Sequence, residues 1–114
     1  MSMLRQNPDL WRAVPLFGAL GDPVRMQIVA RLCGRGPLSI ARIAKGARIS
    51  RQGMTKHLHV LESAGLLAAS KRGREQIWQI KPEALAEAQH SLGLIASQWE
   101  GALNRLKAFV ERNP

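Results

Sequence analysis

The stretch SRQGMTKHLHVLESAG, residues Ser50–Gly65, decides the fold. Ser50 is a helix N-cap, because its hydroxyl can accept a backbone N–H of the first turn. Met54, Leu58 and Leu61 then recur at i, i+4 and i+7, which is one face of an α-helix. Gly65 supplies the left-handed residue that ends such a helix. The spacing therefore predicts a helix over Arg51–Ala64 with one apolar face.

Upstream, Asp22-Pro23 marks another helix start, with Asp as cap and Pro at the first helical position. Ile28, Val29 and Leu32 form its inward face, and Gly34 or Gly36 ends it before Pro37. Ser39 caps a short helix expected over Ile40–Ala47, with Ile40, Ile43 and Ala44 inward. Ile49 plugs the turn before Ser50. Downstream of Gly65 the period changes. Leu66–Ser70 and Glu75–Ile80 read as strands flanking the tip Lys71-Arg72-Gly73-Arg74, with Gln76, Trp78 and Ile80 on one face. Two helices across a short turn, followed by a hairpin with a basic tip, make a winged helix-turn-helix. The second helix of such a pair fits the DNA major groove, and the basic wing suits phosphates or the adjacent minor groove.

The flanks extend this core. Leu10, Trp11, Val14, Phe17 and Leu20 have helical spacing, and Pro15 predicts a break or two short pieces. Asp9, Arg12 and Pro15 interrupt the apolar run that a secretory signal needs, so a packed N-terminal helix is expected. Pro82 opens a long helix reaching about Arg112. Leu85, Ala88, Leu92, Ile95, Trp99, Ala102, Leu106 and Phe109 are spaced 3-4-3-4-3-4-3, the a and d positions of four heptads. A 31-residue helix is about 46 Å long. That exceeds the small body formed by the rest, so part of the stripe needs another surface, most simply a second copy of the chain. The expected dimer contacts are Leu92, Ile95, Trp99 and Leu106. The fold class is thus mainly α with a small β-hairpin. The chain divides into residues 1–21 (a helical segment packing in the dimer), 22–80 (the DNA-binding region) and 81–114 (the dimerisation helix), all in one domain.

Composition agrees. The 114 residues carry 17 Lys and Arg against 8 Asp and Glu, a formal net charge of +9. Residues 22–80 hold eleven of those basic residues and three acidic ones, whereas 81–114 is neutral. Such charge implies a polyanionic partner, nucleic acid or an anionic membrane surface. A single cysteine excludes an internal disulfide framework and any CxxC motif, and fits a cytoplasmic compartment. No run reaches the ~18 apolar residues of a membrane span. There is no phosphate-cradling glycine loop and no supported Ser/His/Asp set, so the chain is not expected to be an enzyme. No cofactor is implied.

Three segments resemble the ArsR family of bacterial regulators: FGALGDPVRMQIV at 17–29, GPLS at 36–39 and ISRQGMTKHLHVLESAGLL at 49–67. The resemblance spans roughly residues 13–82. It implies a homodimeric repressor of an imperfect palindrome, released in many members by an effector. By position it implies that Ser50–Ala64 is the recognition helix, with Arg51, Gln52, Thr55, Lys56 and His59 outward. Arg51 and Lys56 suit phosphate or guanine, Gln52 suits adenine, and Thr55 suits thymine. With Ser50 and His57 on the helix, and Lys71, Arg72 and Arg74 on the wing, these form the expected DNA-contacting set. A solvated polar face is the plainer reading of the same residues.

His57 matches the family's histidine before Leu, for a structural or phosphate-contacting role rather than a metal or switch role. His59 reads as a groove or phosphate contact. Metal-sensing members carry cysteines in the first helix of the pair, or a His/Asp set in the long helix. Here the first reads SIARIAK, and His90 has only Glu83 and Glu87 nearby on its own helix, a poor tetrahedral set. Cys33 is expected to be a small buried apolar residue. Trp99 reads as dimer core, or as a contact for an organic effector. No metal site is therefore expected, and the predicted function is sequence-specific repression. The competing class is a winged-helix module whose basic face binds an acidic protein. A membrane role is disfavoured, because the most amphipathic long helix is the neutral one.

Overall fold

The computed structural model describes residues 7–113. The first six residues of the expected N-terminal segment, and Pro114, lie outside the described residues.

Helix α1 spans Pro8–Leu20 without a break at Pro15. Pro15 is exposed, so the carbonyl that its missing N–H leaves unpaired can be solvated. The buried face is also not the predicted one. Leu10, Ala13, Leu16 and Ala19 are inward, Phe17 and Leu20 are half-buried, and Trp11 and Val14 are exposed. Small alanines make the inward face, and they let the helix lie close to its neighbour.

Helix α2 spans Pro23–Arg35, with Asp22 as N-cap and Gly36 at φ +80° as the stop. Strand β1 is only Leu38–Ser39. Ser39 then caps α3, which covers only Ile40–Ile43. The predicted helix to Ala47 is cut short by turns ending at Gly46, φ +82°. The freed carbonyls are not wasted. Arg31 Nη1 donates to the carbonyls of Ile43 at 2.8 Å, Lys45 at 3.1 Å and Arg42 at 3.4 Å. A guanidinium at the end of a helical turn suits the negative end of its dipole.

Helix α4 spans Arg51–Ser63, and Ser50 Oγ accepts the Gly53 N–H at 3.0 Å. At its other end, Leu66 N–H bonds the Leu61 carbonyl and Gly65 N–H bonds the Glu62 carbonyl. That crossed pair around a left-handed glycine is the Schellman stop. Strands β2 (Leu67–Arg72) and β3 (Glu75–Ile80) pair antiparallel, from Leu67 opposite Ile80 to Arg72 opposite Glu75. Their two-residue loop has positive φ only at Gly73, the type II′ pattern that matches strand twist. Strand β1 adds to the free edge of β3, with Leu38 opposite Trp78, giving the order β1-β3-β2. The hairpin is therefore a three-stranded sheet; a two-residue strand has no alternation to read.

Ile28, Leu32, Ile43, Met54, Leu58, Leu61, Leu66, Leu67 and Trp78 form one core under the helix pair and the sheet. Cys33 is exposed, against the expectation of burial. It follows Leu32 by one position, and one helical step of about 100° carries it off the inward face.

Helix α5 spans Pro82–Arg112, 31 residues. It packs on α1; on this helix Ala84 and Ser91 are buried and Ala88 and Leu94 are half-buried. His90 Nε2 lies 3.0 Å from Asp9 Oδ2 on α1. Beyond that the helix projects, and the molecule measures 68 × 27 × 22 Å.

Candidate nucleic-acid interface

The first turn of α4 faces the wing across a cleft of about 330 Å³. Arg51 and Thr55 line one wall, Lys71 and Arg74 another, and Ser39 closes it from the start of α3. Three cations thus converge from two elements distant in sequence. Glu75 sets one carboxylate into the same wall. The sequence named the four residues of the helix and wing but missed Ser39, which it read only as a cap. Ser39 Oγ accepts the Arg42 N–H at 3.4 Å.

The other predicted residues fall in three places. Gln52 and Lys56 are exposed on α4, and Arg72 is exposed near the wing tip. Thr55 is half-buried and its hydroxyl donates to the Arg51 carbonyl at 2.9 Å, leaving oxygen lone pairs and the methyl to meet a base. His59 is exposed beside the sheet. Its ring meets Trp78 edge-on with centroids 5.9 Å apart, and its Nδ1 lies 3.3 Å from Glu62 Oε1. Ser50 spends its hydroxyl on the helix cap.

His57 is turned the other way, into the corner where α1 meets α2. Its Nδ1 is 3.4 Å from Arg25 Nη1 and 3.9 Å from Asp22 Oδ2. Arg25 Nε also donates to the Ala19 carbonyl, at 2.6 Å, and Asp22 Oδ2 accepts the Arg25 N–H at 3.0 Å. That backbone bond, helped by the nearby Arg25 charge and opposed by partial burial, holds the Asp22 carboxyl below the ordinary carboxylate range.

A second surface is apolar. Trp11 (63% exposed) and Val14 on α1, with Leu92, Ile95, Trp99 (66% exposed), Leu103, Leu106 and Phe109 on α5, present large side chains to solvent in the single chain. Among the described residues, no three His, Cys, Asp or Glu side chains gather as a metal site. None of the described helices is long and apolar enough to cross a membrane.

Known proteins share this fold. A family profile described as a helix-turn-helix domain matches residues 20–68, from the end of α1 into β2. The HTH-type transcriptional regulator Rv2034 of Mycobacterium tuberculosis is 33% identical over 111 residues, spanning 97% of this chain and 94% of that protein. The solved structure of an ArsR-like transcriptional regulator from Rhodococcus sp. RHA1 superposes with a TM-score of 0.73 at 31% identity, covering 86% of this chain and 92% of that one. The homodimeric winged helix-turn-helix DNA-binding domain of Mb0332 from Mycobacterium bovis superposes with a TM-score of 0.62 at 25% identity, covering 78% and 82%. The likeness runs over nearly the whole length of Rv2034 and over most of the ArsR-like Rhodococcus regulator, and so the chain belongs to the ArsR family of winged helix-turn-helix transcriptional regulators.

Proposed function

We propose that the protein is a homodimeric, sequence-specific repressor that binds a palindromic operator in the cytoplasm and needs no bound metal. The observation that carries this reading is the cleft in which Arg51, Lys71 and Arg74 converge beside the exposed Gln52 and Lys56. In this reading Arg51, Gln52, Thr55, Lys56 and His59 enter the major groove, with Ser50 at the helix start. Lys71, Arg72 and Arg74 follow the phosphates. Residues 22–80 act as the reading unit, and the N-terminal and C-terminal helices as the dimer scaffold of one domain. The homodimeric state of the Mb0332 domain supports a dimer. So does the exposed stripe at Leu92, Ile95, Trp99 and Leu106.

The test is enrichment of duplexes by the full chain from a random-sequence pool. A two-fold symmetric consensus, with half-sites about one helical turn apart, is the expected result. Enrichment without any consensus would refute sequence-specific reading. A reporter driven from a promoter containing that consensus gives the sign: expression should rise when the gene for the protein is removed.

A further inference from the structure

We propose that His57 is a positioning residue, and that Asp22, Arg25 and His57 form a clamp that fixes the rotation of the recognition helix against the α1–α2 corner. The proposal rests on the DNA-binding reading above for its functional consequence, and on distances for its geometry.

Arg25 reaches two ways. Its Nε donates to the last turn of α1 at Ala19, and its Nη1 approaches His57 in the middle of α4. A guanidinium has only donors. A bond from it to His57 therefore uses Nδ1 as its acceptor. Asp22 caps α2 and holds Arg25 from behind through the Arg25 backbone N–H. The other groups facing the ring are thus one cation and one carboxylate, at 3.4 and 3.9 Å. Both belong to the start of α2, and neither faces the cleft.

The location gives the clamp its meaning. Base reading requires side chains held within about 0.5 Å and 10–20° of the productive geometry. Leu58 and Leu61 anchor α4 in the core but, being apolar, resist rotation only through packing. A directional bond at His57 adds an angular restraint at the middle of the helix that bears Gln52, Thr55 and Lys56. Its far end is α1, which packs on α5. The clamp therefore joins the reading helix to the two helices of the dimer scaffold.

The test uses His57→Leu, His57→Asn and the double variant Arg25→Met/His57→Leu, in the full chain. Asparagine keeps an acceptor near the Nδ1 position, whereas leucine removes it. Binding is measured on a duplex that the wild type enriched from a random pool, across a salt series. Backbone hydrogen exchange of residues 51–63 is measured without DNA, with α2 and α5 as internal checks on folding. His57→Leu should weaken binding about tenfold, the scale of one hydrogen bond to a charged group. It should do so with an unchanged salt slope and faster exchange confined to α4. His57→Asn should stay near wild type in both readouts, and the double variant should lose little more than His57→Leu. A salt slope that falls by about one unit, with exchange unchanged, would make His57 a phosphate contact and overturn the clamp. Wild-type exchange and affinity in His57→Leu would overturn it as well. If the wild type enriches no duplex, the DNA reading fails and the exchange measurement alone decides the clamp.

Discussion

Gln52 and Arg72 lie on different elements, and in the proposed reading they do different physical work. An amide at the start of the recognition helix can make two directional bonds to one base, whereas a guanidinium near a wing tip meets a phosphate that every sequence presents. Gln52→Ala should therefore cost about 1–3 kcal/mol on the preferred duplex and relax preference at one base pair. Arg72→Ala should weaken preferred and random duplexes alike, and lower the salt slope by about one unit. Parallel binding isotherms on both duplexes check this, and identical behaviour of the two variants would break the assignment. Asp22 gives a second expectation. Its carboxyl is held below the ordinary range, so the charged form is favoured in the folded state. The resulting stability is present above the unfolded value of about 4 and is lost as pH falls through the lowered folded value. Asp22→Asn keeps a capping oxygen and removes the charge. Urea titrations should show wild type ahead of Asp22→Asn at neutral pH, with the gap closing in acid. The identity of these residues was readable from their sequence positions. The inward turn of His57 was not, because the partner at Arg25 is 32 positions away and only the packing of α2 against α4 brings it close.

Elements were legible where local chemistry is strong. Asp22-Pro23, Ser39, Ser50 and Gly65 each make the cap or stop that their residue type favours. They were illegible where tertiary contacts decide. Strand β1 exists because the edge of β3 needs a partner, and the inward face of α1 was hidden because half of it is alanine. A further constraint lies at Gly53, in the first turn of α4. In most helices Gly→Ala gains about 0.5–1 kcal/mol. Here a Cβ would sit 2.9 Å from Ile49 Cγ2 and 3.3 Å from the Ser50 hydroxyl that caps the helix. Ile49 is half-buried and β-branched, so it cannot swing aside freely. Gly53→Ala should therefore destabilise, by about 1–3 kcal/mol as overpacking does. Thermal unfolding by circular dichroism reads the sign directly: a raised melting temperature would show that the turn yields.

At the scale of the whole molecule, α5 presents two kinds of side chain to two surroundings. Ala84, Ala88, Ser91 and Leu94 are buried or half-buried, while the heptad stripe at Leu92, Ile95, Trp99 and Leu106 stays in solvent. The 3-4 spacing was legible in the sequence; its separation from the buried face was not, since small residues give little periodic signal. An exposed apolar stripe this long is costly for a soluble chain and marks an interaction surface. Trp11 and Val14 on α1 are exposed as well. Trp99 lies near the centre of the stripe, where anchors of an interface concentrate. Trp99→Ala should cost at least ~2 kcal/mol, and a symmetric interface loses two such side chains. The reading unit has its own core in Ile28, Leu32, Ile43, Met54, Leu58 and Leu61, which does not include this residue. The variant should therefore stay folded while sedimenting toward monomer. A monomer keeps the contacts of one half-site and loses the linkage between two. Binding to a full palindrome should thus fall more than binding to an isolated half-site. Wild type that sediments as a monomer at tens of micromolar, yet binds a palindrome tightly, would remove the stripe from the function.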